Sequence, residues 1–350
     1  MATTIRDVAA RAGVGTTTVT RVLNGERSVS AGSRQRVLDA VEALFYRPNI
    51  FARGLSGNRS FLICLLIPEV IPGYVTEFQL GAIERCRAAG YHLVAQPYDS
   101  REPHYAEAVR EAIGALRPDG FIITPPISDD LGVLGVLEAA GTPYVRLSPG
   151  LELERGNSIS IDELEAARQM TELLIEAGHR RIGFVRAHPD HVAAGGRFDG
   201  YRRALTEHDL PYDEGLVRQG NFEFSGGEAC GTSLLTQVER PTAIFASNDD
   251  TALGVMAAAY RLGLRVPQDL SLVGFDDSDV ARHAWPLLTT VRQPIRQMAA
   301  MAAEFLIARD QTGTARCKVQ FEIVQRGTVT GNVSKSPALG MGDIALAGRD

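Results

Sequence analysis

The sequence predicts an α/β protein: an N-terminal three-helix helix-turn-helix head, then a doubly wound body in two similar halves. Three observations carry this prediction. In residues 1–45 apolar side chains recur at helical spacing in three short runs. From Ser60 onward, short apolar runs of strand length alternate with amphipathic helical stretches, the pattern of parallel sheets with helical crossovers. The charge is also unevenly divided: the 350-residue chain has a formal net charge of −6, yet residues 1–59 hold nine arginines against four acids, leaving about −11 on the rest. A basic head on an acidic body is what a nucleic-acid-binding module attached to a larger domain looks like.

Within the head, Thr4 caps a first helix whose opening turn holds Asp7, and Ile5, Val8, Ala9 and Ala12 form one apolar stripe. Gly13 ends it. After the Ala12-Gly13-Val14-Gly15 turn, residues 16–24 form a second helix with Val19, Val22 and Leu23 inward and Thr16, Thr17, Thr20 and Arg21 opposite. A third helix runs from about 30 to 45, capped by Ser30, with Val37, Leu38, Val41 and Leu44 on one face, before Pro48 stops it. Two short helices across a glycine turn, braced by a third, make a helix-turn-helix whose second helix enters the major groove. Thr16, Thr17 and Arg21 are the candidates for base edges. Arginine grips guanine O6 and N7 with two hydrogen bonds, and threonine offers thymine a hydroxyl and a methyl. Residues 49–57, with Gly54, Gly57 and an unburied Leu55, give one or two helical turns that do not order without a partner.

In the body, strand-like runs fall at 61–67, 91–96, 120–124, 143–147, 181–185, 243–246, 271–275 and 288–292, and a break near 158–162 divides the series into two halves. Ligands in such folds lie at the carboxyl ends of strands, between lobes. Cys64, Cys86, Cys230 and Cys317 form no C-x-x-C pair and have no histidine at ligand spacing, so no metal site or disulfide framework is expected. Phosphate-loop, dinucleotide, metallopeptidase and hydrolase motifs do not occur, which argues against an enzyme. The N-terminus lacks the apolar run of a signal peptide and no stretch is long enough for a membrane span, so a cytoplasmic protein without membrane partners is expected.

Thr4-Ile5-Arg6-Asp7-Val8-Ala9, Ala12-Gly13-Val14, Thr18-Val19, Arg21-Val22-Leu23-Asn24 and Tyr46-Arg47-Pro48-Asn49 closely resemble the signature of the lac-repressor/galactose-repressor (LacI/GalR) family. The resemblance continues through Ala177-Gly178-His179-Arg180-Arg181-Ile182-Gly183, Pro241-Thr242-Ala243-Ile244-Phe245, Asn248-Asp249, Ser271-Leu272-Val273-Gly274-Phe275-Asp276-Asp277 and Leu288-Thr289-Thr290. It implies a transcriptional regulator, most simply a repressor, with a two-lobed periplasmic-binding-protein-like body. A solute-binding module without a DNA role is the alternative. The implied divisions are a head over 1–48, a hinge helix over 49–59, a body over 60–332 and a flexible tail over 333–350. The first lobe would take about 60–160 and 291–319 and the second about 161–290 and 320–332, with three crossings near 160, 290 and 320.

The resemblance also implies the partners: double-stranded DNA with a palindromic operator, a second copy of the chain, and a small-molecule effector, a sugar or sugar derivative, with no cofactor. DNA contacts would come from Thr4, Thr16, Thr17, Thr20, Arg21 and Asn24 in the head, and from Asn49, Ala52, Arg53 and Leu55 in the hinge, Leu55 wedging into the minor groove. Gly15 departs from the family, which has a capping serine there. Effector contacts would come from Tyr74, Ser148, His191, Arg197, Phe222, Asn248, Asp249 and Asp276, although Asn248 and Asp276 also stand where a helix cap would. Purine-binding relatives carry Asp-Trp near Ser148-Pro149 and Arg-x-Thr near His191-Val192-Ala193, and their absence here disfavours a purine. The tail has no heptad repeat with which to build a tetramer, so a dimer is expected.

Overall fold

The computed structural model describes residues 3–23, 28–46, 59–68, 72–98, 105–308 and 315–331. Asn24, the hinge positions Asn49, Ala52, Arg53 and Leu55, and the tail from 333 lie outside the described residues.

The head is three helices, α1 (Ile5–Ala12), α2 (Thr16–Leu23) and α3 (Ala31–Ala43). Thr4 and Asp7 form a reciprocal cap on α1, the Asp7 carboxylate accepting from the Thr4 N–H at 2.8 Å and the Thr4 hydroxyl from the Asp7 N–H at 3.4 Å. The Gly15 carbonyl opens α2, accepting from Thr18 and Val19. Val8, Ala12, Val19, Val22, Val37, Ala40 and Tyr46 make the core. Leu38 does not join it. The stripe of α3 is already complete at Val37, Ala40, Val41 and Leu44, which leaves Leu38 on its flank and 44% exposed. The helix also ends at Ala43 rather than 45, where Phe45 turns to φ 47° and the Tyr46 N–H returns to the Val41 carbonyl.

Each half of the body is a six-stranded sheet. The first half contains β1 (Leu62–Pro68), α4 (Pro72–Ala88), β2 (His92–Tyr98), α5 (Tyr105–Leu116), β3 (Gly120–Ile123), α6 (Leu131–Ala139), β4 (Tyr144–Leu147) and β5 (Asn157–Ser160). The second contains α7 (Glu163–Glu176), β6 (Ile182–Arg186), α8 (Gly195–Glu207), β7 (Val217–Gln219), α9 (Phe224–Leu235), β8 (Ala243–Ala246), α10 (Asp249–Arg261), β9 (Ser271–Asp276), α11 (Asp279–His283) and β10 (Thr289–Arg292). The chain then returns to the first half with α12 (Ile295–Ala308) and β11 (Arg316–Lys318), and ends in the second with β12 (Glu322–Val324).

Strand orders β11-β5-β4-β3-β1-β2 and β12-β10-β9-β8-β6-β7 repeat one winding, parallel throughout except for β12 against β10. Strands such as β1, buried along Ile63-Cys64-Leu65-Leu66-Ile67, read as continuous apolar runs because helices cover both faces. The order reverses between β1 and β3 and again between β6 and β8, which opens a crevice at the carboxyl ends of each sheet. The chain passes between the sheets three times: after β5, after β10 and between β11 and β12. The break expected near 158–162 is therefore partly strand, and the passage lies just beyond it, where Asp162 caps α7 by accepting from the Glu165 N–H at 3.1 Å.

Candidate functional site

The carboxyl ends of both sheets face one narrow cleft. From the first half come Tyr74 on α4, Pro125 after β3 and Ser148 after β4; Glu163 stands at the start of α7. From the second come His191 and Arg197 after β6, Phe222 after β7, Asn248 after β8 and Asp276 at the end of β9. Seven of the eight expected effector residues thus share one cavity.

Arg197 is buried at the centre. Its Nε donates to Glu163 Oε2 at 2.7 Å, its Nη1 donates to the Ser247 carbonyl and lies 3.9 Å from Asp276, and its guanidinium sits 3.7 Å over the Phe275 ring. Burial raises the Asp276 carboxyl to about 7, against the pull of Arg197 and a hydrogen bond from Gln293 Nε2 at 2.7 Å. His191 is lowered to about 4 by burial and by the Arg197 charge, so it is neutral at physiological pH, and its ring meets Phe222 edge-on with centroids 4.9 Å apart. Burial and the neighbouring Asp276 hold the Tyr74 phenol far above its ordinary value. Ser148 sits at φ 42° with its hydroxyl buried, and that hydroxyl has no hydrogen-bond partner among the described residues. An orphan donor in a polar cleft costs free energy until something answers it.

Two expected residues behave otherwise. Asn248 borders the cleft with its polar atoms committed, Oδ1 capping α10 at the Thr251 N–H and Nδ2 donating to the Phe222 carbonyl at 2.9 Å. Asp249 is outside the cleft altogether. Its carboxylate accepts from the Thr290 hydroxyl at 2.6 Å and from Ser278 N and Oγ at 2.8 and 3.0 Å, bracing β10 and the turn after β9. Burial and the Asp276 charge hold it well above the usual carboxylate range. Glu163 was not anticipated. Its one sequence signal is an acid in the first turn of a helix, which by itself reads as a dipole complement.

On the head, Thr16, Thr17 and Arg21 are exposed on α2 opposite buried Val19 and Val22. Thr20 is half-buried, its hydroxyl donating back to the Thr16 carbonyl at 3.1 Å. Thr4 is exposed, with its hydroxyl committed to Asp7 at 2.7 Å. Cys64, Cys86 and Cys230 are buried free thiols, and Cys317 is partly buried. Among the described residues no helix is long and apolar enough to cross a membrane, and no group of three His, Cys, Asp or Glu side chains would hold a metal ion.

Residues 4–49 match the family described as bacterial regulatory proteins, lacI family, and residues 171–329 match the periplasmic binding protein-like domain. The HTH-type transcriptional repressor PurR of Vibrio atlanticus (strain LGP32) is 33% identical over 330 residues, 93% of this chain and 98% of the relative. The chain belongs to the LacI family. This LacI-family chain is a DNA-binding transcription regulator. Its fold matches the lac repressor dimer bound to operator and the anti-inducer ONPF with a TM-score of 0.80 at 28% identity, covering 94% of this chain and 100% of that one. It also matches the transcriptional regulator CelR–cellobiose complex with a TM-score of 0.72 at 32% identity, covering 93% and 99%.

The Asp276 carboxyl gives a pH test. An acid raised by folding binds a proton in the native state that the unfolded chain has released, so its stabilising contribution is fully present below about pH 4 and is lost as pH rises through about 7. Urea unfolding of wild type and Asp276→Asn is expected to show wild type losing stability relative to the variant from about pH 4 to about pH 7. Parallel profiles would mean that the carboxyl titrates normally.

Proposed function

We propose that this regulator is a repressor that binds a palindromic operator as a homodimer in the cytoplasm, and that an uncharged polyhydroxyl effector, a sugar or sugar derivative, sets its grip on DNA. The division into a head to residue 48, a hinge over 49–59 and a two-lobed body to 332 is part of the same proposal, as is a regulatory rather than catalytic role for the cleft.

The observation that carries the effector class is the state of Arg197. It enters the cleft already neutralised by Glu163 and facing Asp276, so a phosphate or carboxylate on the ligand would meet two acids as well as one base. A sugar suits the remaining surface: the Phe222 ring offers an apolar face, Asp276 accepts from hydroxyls, and the Ser148 hydroxyl is unanswered. The cellobiose held by the structurally similar CelR points the same way. Ser148-Pro149 and His191-Val192-Ala193 replace the pairs that accompany purine binding in the family, which speaks against a purine. A bare solute-binding role leaves the basic head and its exposed threonines and arginine without purpose.

Coupling follows from two-state linkage: an effector changes operator affinity only as far as it prefers one lobe arrangement over the other. Genomic fragments retained by the full chain at moderate ionic strength are expected to share a palindrome. Among cellobiose, glucose and glucose 6-phosphate, thermal shifts are expected from an uncharged sugar and none from the phosphate. Retention without palindromic preference would overturn the DNA assignment, and a shift confined to the phosphate would overturn the effector class.

A further inference from the structure

A fully buried arginine outside the cleft's lining has each of its five N–H groups answered. Arg146, on β4, donates from Nε to the Ser128 carbonyl at 2.6 Å and from Nη1 to the Glu152 and Arg155 carbonyls at 2.8 and 3.0 Å. Its Nη2 donates to Asp129 at 2.8 Å and to the Leu151 carbonyl at 2.6 Å. The same Asp129 carboxylate accepts from the Gly150 N–H at 2.9 Å and the Leu151 N–H at 3.0 Å. One buried ion pair therefore grips both donors and acceptors of a short connection whose Ser148 and Glu152 each sit at φ 42°, a region that side chains other than glycine's avoid.

What the connection presents is the wall of the cleft. Ser148 lines the cavity with its orphan hydroxyl buried, and two residues on, Gly150 meets the second lobe so closely that a Cβ there would lie 2.4 Å from Ala193 N and 2.7 Å from the Val192 carbonyl carbon. The residues it meets run directly into α8, which carries Arg197.

We propose that Arg146 and Asp129 are positioning residues for the cleft: they shape residues 148–152 so that Ser148 faces the effector and Gly150 seats against residues 192–193, fixing how closely the lobes approach. A carboxylate is required at 129 because its neighbours, Arg146 Nη2 and the Gly150 and Leu151 N–H groups, are all donors, and an amide would turn its own donor onto one of them. Glycine is required at 150 because the atoms opposite are backbone and cannot swing aside.

The inference rests on the reading of the cleft as an effector site, and its test uses neither sugar nor DNA, so the two can fail separately. Hydrogen exchange on the full chain is expected to quicken on the order of tenfold at 150–151 and at 192–196 in Asp129→Asn, with β8 and β9 unchanged. In Gly150→Ala the grip of Arg146 stays intact, so exchange is expected to quicken at 192–196 alone, with a larger radius of gyration by X-ray scattering. Uniform loss of protection across the first sheet in Asp129→Asn would reduce the pair to a general folding role. Unchanged protection at 192–196 in Gly150→Ala would remove the seat, and that variant decides alone if Asp129→Asn does not fold.

Discussion

Arg197→Met is expected to cost about 3–5 kcal/mol of stability, because removing one partner of a buried ion pair leaves its carboxylates uncompensated. Glu163 loses its 2.7 Å partner, Asp276 loses the nearby positive charge that opposes its burial, and the Ser247 carbonyl loses a donor. Methionine keeps most of the volume over Phe275, so the loss reports electrostatics more than packing. The cost is expected to shrink toward about pH 5, where Asp276 takes up a proton, and to shrink again when Glu163→Gln is added. Effector response should be abolished in the same protein, since the cleft's centre is gone. Denaturant unfolding at two pH values checks this, and a cost below about 1 kcal/mol at neutral pH would show that Arg197 is not the electrostatic keystone of the site.

Arg21→Ala is expected to weaken binding to a selected operator by about 1–3 kcal/mol, roughly 5- to 150-fold, and to relax base preference at one position of each half-site. The side chain is exposed on the face of α2 opposite Val19 and Val22, so its removal leaves the head's core intact. Binding to random DNA should fall far less, because a base contact is made on the operator alone, whereas a lost phosphate contact would affect all sequences alike. Equal weakening on operator and random fragments, measured at one salt concentration, would assign Arg21 to the backbone.

Much of the fold was legible because burial imposes period. The eight strand runs read from apolar content coincide with β1 to β4, β6 and β8 to β10, which lie within the sheets or, for β2, run for seven residues with Leu93-Val94-Ala95 among them. The strands that escaped are β7, β11 and β12, three-residue edges with little burial, and β5, whose Asn157-Ser158-Ile159-Ser160 is mostly polar. In the head, Leu38 misled because hydrophobicity alone does not say which flank of a stripe reaches the core. At the cleft, Tyr74, Ser148, His191, Arg197, Phe222, Asn248 and Asp276 were legible through the family resemblance, and the winding brings these positions together at one cavity. Glu163 and Asp249 show the limit. Their partners lie 34 and 41 residues away, and no local pattern records a pairing made only by the finished fold.

The three passages between sheets bear on how the protein is made. The first sheet is closed on one edge by β11 and covered by α12, which leave the ribosome some 150 residues after β5. At about 5–20 residues per second the nascent first lobe waits on the order of 10–30 s with the apolar surface of α4 and β3 to β5 uncovered. The first half cannot be excised as a continuous fragment without exposing that surface, so its completion waits on the synthesis of the second.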